Sequence, residues 1–139
     1  MATLRFVEEG EASQEVQELY RQMKAGFGAG QVPNVYKVLA NNPHVLAAAL
    51  DNRRRIMEEG RLDPKLKEWL AWATVTLTNN VFGIKTHTAR LKKLGVSNAE
   101  ILEALAVLQY FTGISTVING LAMAEDVPQK VLEYLRQTP

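Results

Sequence analysis

A chain of 139 residues, 47% apolar and 22% charged, is long enough for one domain with a sizeable core and too apolar for a disordered or collagen-like polymer. Its 16 Lys and Arg against 15 Asp and Glu leave a net charge of +1, which provides no field to gather nucleic acid or anionic lipid. Cysteine is absent, so disulfides, thiolate metal sites and cysteine nucleophiles or redox pairs are excluded from this chain's chemistry.

Along the chain the punctuation is helical, with prolines just inside helix starts and glycines just past helix ends. The opening "MATLRFVEEGEAS" has no apolar core behind a basic end, and no run of about 18 apolar residues follows, so a cytoplasmic protein with no membrane segment is expected. A first helix is predicted from Ser13 to Lys24, followed by a glycine-rich connection, "AGFGAGQ". Pro33 and Pro43 then open two helices, the second closed by Gly60. Asp63 as N-cap and Pro64 at the first helical position start another, reaching about Asn79. Gly95 ends the next helix. "SNAE", Ser97 to Glu100, is a capping box that opens a helix running to Phe111 or beyond. Two last helices are predicted over 115–125 and 128–137. The fold class is therefore all-α, in a single domain over 1–139 with no internal repeat.

Two of these segments bear on assembly. "WLAWATVTL" and "ILEALAVLQYFTGISTVINGLAMA" are apolar nearly all round, and in so small a domain one protomer supplies few neighbours for such helices. A homo-oligomer is expected; the alternative is a monomer with one central helix.

Few residues carry candidate chemistry. Of the two histidines, His44 sits in a first helical turn beside Pro43, where a surface or capping role is ordinary. His87 follows Gly83 by four residues and Asn80 by seven, so the three share a predicted helix face and form a small polar notch. A mid-helix glycine costs about 0.5–1 kcal/mol relative to alanine, and it often permits close approach of a ligand, helix or subunit. Glu68, near Trp69 and Trp72 on a mostly apolar helix, is the nearest upstream carboxylate. Glu68 and His87 make a candidate general acid/base pair, with a packing or interface hydrogen bond as the commoner explanation of such a pair. Arg53, Arg54 and Arg55 fan around a helix as a solvated face. Trp69, Trp72, Tyr110 and Phe111 read as core. No phosphate loop, HExxH, nucleophile elbow or EF-hand loop occurs, and one His with one Glu is too small a ligand set for zinc, so no metal or cofactor is expected.

The stretch from Glu68 to Gly95, the following "SNAEILEALAVLQYFTGISTVINGLA" and the upstream "VPNVYKVLANNPHVLAAAL" resemble the alkylhydroperoxidase-D-like and carboxymuconolactone decarboxylase family over about residues 32–125. In its peroxidase branch a glutamate, eleven residues, CxxC, three residues and a histidine form the motif. Glu68 and His87 match its ends, Phe82 replaces the aromatic between the cysteines, and Thr88 fits a common His-Thr pair. The cysteine positions hold Asn80 and Gly83, which form no thiolate and pass through no sulfenic acid, so the resemblance does not extend to thiol peroxidase activity.

What the resemblance implies is a trimer or hexamer, and a non-redox member like the decarboxylase branch, acting on a small lactone or carboxylate. His87 would shuttle a proton, Glu68 would orient it, and Asn80 would hydrogen-bond a developing oxyanion, with Gly83, Phe82, Thr78 and Tyr110 lining the pocket. The alternative is a non-catalytic oligomeric scaffold or small-molecule binder.

Overall fold

A computed structural model describes residues 2–27, 30–122 and 127–137. Among these, the regular elements are all helical: a short 3-10 turn at Glu9–Glu11, then α1 (Gln14–Phe27), α2 (Asn34–Leu39), α3 (Pro43–Glu58), α4 (Pro64–Leu77), α5 (Val81–Lys93), α6 (Asn98–Gly120) and α7 (Gln129–Gln137). The chain divides into two compact units, Met1–Lys67 and Glu68–Pro139.

In the first unit α1 buries Val16, Tyr20 and Met23, spaced by four and three so that they fall on one stripe, against Val7, Val32 and Leu46. Asn42 caps α3 by accepting from the His44 and Val45 amides, while Pro43 occupies a position whose missing N–H costs nothing. His44 is exposed. α1 continues past the expected end at Lys24 because Phe27 has tertiary partners: it lies 5.5 Å from the Tyr36 ring and under the Arg53 guanidinium at 3.8 Å. Arg54 and Arg55 instead pair with Asp51 on their own helix. The expected glycine-rich connection includes residues 28 and 29, which lie outside the described residues.

The buried Tyr20 hydroxyl donates to the Val7 carbonyl at 2.8 Å, tying the N-terminal segment to α1. Burial, with Glu8 and Glu9 nearby, raises the phenol's pKa above its ordinary value of 10.0. A group whose folded pKa is raised contributes stability that is intact below pH 10 and lost as pH rises through the folded value. Tyr20→Phe is therefore expected to cost about 1 kcal/mol at neutral pH. It should also lose less stability than wild type between pH 8 and 11, read as melting temperature by circular dichroism.

The ends of α4, α5 and the start of α6 are well made. Asp63 Oδ1 accepts from the amides of Lys65 and Leu66 at the start of α4. At its end Asn79 adopts a left-handed conformation (φ 55°), the Asn79 amide bonds Thr76 and the Asn80 amide bonds Val75, which together form a Schellman motif. Gly95 (φ 82°) closes α5 in the same way, with Val96 packing back on Leu91. The capping box is present in full: Ser97 Oγ accepts from the Glu100 amide and the Glu100 carboxylate accepts from the Ser97 amide.

α6 departs from expectation. Gly113 does not divide it, because a lone helical glycine costs only about 1 kcal/mol and no proline or cap follows to enforce a break. The helix is continuous for 23 residues, and an 18-residue window within it has a mean hydropathy of 1.6, so one helix is long and apolar enough to cross a membrane by length and composition. The expected helix end near Glu125 falls outside the described residues. Ile101, Ala104 and Leu108 pack on Trp72 and Leu91, but Tyr110 and Phe111, expected in the core, are 63% and 62% exposed.

Candidate functional site

α4 and α5 form an antiparallel hairpin around the tight turn at Asn79 and Asn80, and the contacts step along it in register. Val75 meets Gly83 next to the turn, the Trp72 indole N–H donates to Thr88 Oγ1 at 2.9 Å one turn further, and Glu68 meets His87 and Arg90 at the open end. The i, i+4 spacing of Glu68 and Trp72 puts both on the face of α4 turned to α5.

Glu68 is 8% exposed, which places a carboxylate where it needs partners. Its Oε2 lies 2.6 Å from His87 Nδ1 and its Oε1 lies 3.5 Å from Arg90 Nη1. A carboxylate oxygen only accepts, so Nδ1 carries the proton of this contact. The neutral imidazole is then fixed as the tautomer with its lone pair on Nε2, and a carboxylate stands ready to balance the imidazolium formed when Nε2 takes a proton. The His87 side chain is only partly buried, so this chemistry stays within reach of a solute.

Arg90 was not among the candidates from sequence, although its place three residues after His87 puts it on the same face of α5. Thr88 holds Trp72 and thereby the helix that carries Glu68.

The other predicted site residues have different surroundings. Asn80 is the N-cap of α5, outside the helix, and its Oδ1 accepts from the Gly83 amide at 2.9 Å. Gly83 is buried with no open notch beside it: a Cβ there would stand 2.7 Å from Val75 Cγ1 and 2.9 Å from Val75 Cβ. Both residues therefore serve the hairpin turn and its close helix approach. Phe82 is 56% exposed at the start of α5. Thr78 is exposed and turns its hydroxyl back to the Thr74 carbonyl. Tyr110 meets Phe111 edge-on and lines a shallow groove with Ala106, Gln109, Gly113 and Ile114, a set without Glu68 or His87.

The close approach at Gly83 is testable. Gly83→Ala gains helix propensity but drives a methyl into Val75, so a net loss of about 1–3 kcal/mol is expected. Val75→Ala in the same chain should recover part of it, and a double-mutant cycle by denaturant unfolding reads the coupling.

Comparison with known proteins bears on the fold and the family. The chain has the fold of the crystal structure of an alkylhydroperoxidase AhpD core from Rhodospirillum rubrum, with a TM-score of 0.81, 28% identity, and 95% of this chain and 98% of that one covered. A curated relative, an (R)-2-haloacid dehalogenase of Pseudomonas putida, is 30% identical over 115 residues, which are 79% of this chain. The matched part spans only 36% of that relative's length. Residues 43–126, which contain both Glu68 and His87, match the carboxymuconolactone decarboxylase family, and the chain belongs to that family as a member without cysteine.

Proposed function

We propose that this chain is a non-redox acid–base enzyme of its family, in which His87 moves a proton to or from a small carboxylate or lactone and Glu68 holds the imidazole for that task. The observation that carries the reading is the 2.6 Å contact between His87 Nδ1 and a carboxylate that is 8% exposed. In the reaction, His87 Nε2 accepts a proton from water or from a carbon beside the substrate's carboxylate and returns it to the product. Glu68 accepts the Nδ1–H and balances the charge. Arg90 adds a cation beside the pair, which suits an anionic substrate. The relative whose name is a 2-haloacid dehalogenase makes 2-substituted small carboxylic acids the first class to try. Peroxide reduction through a cysteine pair has no counterpart here, since Asn80 and Gly83 stand where the cysteines would.

The experiment is a screen of small lactones and carboxylic acids, including 2-halo acids followed by halide release, with wild type beside His87→Ala. Turnover present in wild type and lost in the variant supports the reading. A substrate consumed equally fast by both removes it.

A second reading is favoured by Asn80 and Gly83, whose roles lie in the turn and the helix contact: a domain that binds a small carboxylate without turning it over. Such a binder should be stabilised by its ligand by about 2.7 kcal/mol at a hundredfold excess over Kd while leaving it unchanged.

A further inference from the structure

We infer that Arg90 is the carboxylate anchor of this site, so that its substrates are ionised carboxylic acids reacting at the carbon beside the carboxylate, and neutral lactones, esters and amides are discriminated against. The inference rests on the acid–base reading of His87 and narrows the substrate class of that reading.

Position gives the first argument. His87 and Arg90 are three residues apart on α5, a spacing that makes side chains neighbours on one helix face, with Cβ atoms about 5–6 Å apart. Glu68 meets both, with Oε2 at 2.6 Å from His87 Nδ1 and Oε1 at 3.5 Å from Arg90 Nη1. The two contacts differ in kind. A charge-assisted N–H···O bond closes to about 2.7–2.9 Å, which the histidine contact reaches and the arginine contact does not. Glu68 is therefore committed to the imidazole, and it steers the guanidinium without closing on it. The His87 and Arg90 side chains are 18% and 21% exposed, so both heads stay within reach of a solute.

Charge gives the second. From Glu68 to Val96 the only acid is Glu68 itself, against the cations Lys85, Arg90, Lys92 and Lys93. Of these four, the three lysines are exposed and Arg90 is partly buried. A cation withdrawn from water acts on a nearby anion with less screening than a solvated one, and its planar fork matches the two oxygens of a carboxylate. With the imidazole neutral, the charges of Glu68 and Arg90 cancel. Once Nε2 has taken a proton the three groups together carry one positive charge, which complements a carboxylate and gains nothing from a neutral ester or lactone. When that proton comes from the carbon beside the carboxylate, the C–H electron pair moves into the carboxylate, and the second negative charge develops against the guanidinium.

The competing explanation is that Arg90 only balances the buried Glu68. That role acts on the imidazole whether or not an anion is bound, which separates the two.

The test uses the full chain and two inert probes, propanoate and its uncharged counterpart propanamide. Binding is read from the His87 ring signals by NMR, which His44→Gln leaves as the only histidine signals in the spectrum. At neutral pH propanoate should move them saturably, and propanamide should not. Arg90→Gln should weaken propanoate by about tenfold or more, Arg90→Lys by less because it keeps the charge without the fork, and Lys85→Gln by less than about twofold. With no probe present, the neutral His87 ring of Arg90→Gln should keep its proton on Nδ1, and circular dichroism should show unchanged helicity. Should Arg90→Gln fail to fold, Arg90→Lys and the comparison of the two probes on wild type still decide. An equal response to propanamide, no response to propanoate, an unchanged propanoate affinity in Arg90→Gln, or a probe-free change of tautomer in that variant would each overturn the inference. The parent reading fails separately: turnover of a neutral lactone that needs His87 but not Arg90 ends this inference and keeps that reading, whereas turnover that survives His87→Ala ends the reading whatever Arg90 does.

Discussion

Trp72→Ala is expected to destabilise the second unit by about 3–5 kcal/mol, the range for truncating a fully packed aromatic side chain. Trp72 is 2% exposed and forms a cluster with Leu91 and Val96, against which Ile101, Ala104 and Leu108 of α6 also pack. Its removal opens a cavity at the junction of three helices, and the cost is large because the α4–α5 hairpin, pinned by Val75 against Gly83, has little room to collapse into it. Trp72→Phe separates the two contributions. It keeps most of the apolar volume but loses the N–H to Thr88, which is only partly buried and finds water instead, so its cost should stay near 1–2 kcal/mol. Chemical denaturation followed by circular dichroism measures both. A Trp72→Ala variant as stable as wild type would mean that the cluster is not the core of this unit.

The parts of the fold that were legible in the sequence are those decided by local chemistry. Asp63 with Pro64, and Ser97 with Glu100, mark helix starts because a side-chain oxygen must meet the free amides of the first turn. Gly60 and Gly95 mark ends because the chain there turns through positive φ. Asn79 takes the same conformation and was not recognised. The consequence is specific: with Asn79 in the turn, Asn80 becomes a cap outside α5, and the face it was expected to share with Gly83 and His87 does not include it.

Features decided by tertiary contact were not legible. α1 runs to Phe27 because Tyr36 and Arg53 hold that ring, and neither contact is encoded near residue 27. The exposure of Tyr110 and Phe111 depends on what packs around α6, which local propensity does not report. The pairing of Glu68 with His87 was suggested by Glu68 being the nearest upstream carboxylate on an apolar helix and by family spacing, neither of which establishes contact. The structure adds which nitrogen is engaged, how deeply the carboxylate is buried, and the presence of Arg90 on its other oxygen.

Glu68→Gln should lower turnover of the substrate by about 100- to 10,000-fold, comparable to losing a general acid–base, while changing stability little. The amide has nearly the shape of the carboxylate but presents a donor as well as an acceptor and carries no charge. When its NH₂ faces Nδ1, the imidazole must accept there and move its proton to Nε2, which removes the lone pair needed at the reacting side. When its oxygen faces Nδ1 the tautomer survives, but the imidazolium has lost its counter-charge. Nitrogen-15 spectra of the neutral His87 ring report the first effect without any substrate: wild type should show the proton on Nδ1, and Glu68→Gln a mixture or the reverse. Glu68→Ala, which removes the partner altogether, should cost about 1–3 kcal/mol of stability as well. If the contact serves packing alone, the outcome inverts, with stability lost in Glu68→Ala while the rate and the tautomer stay the same in Glu68→Gln.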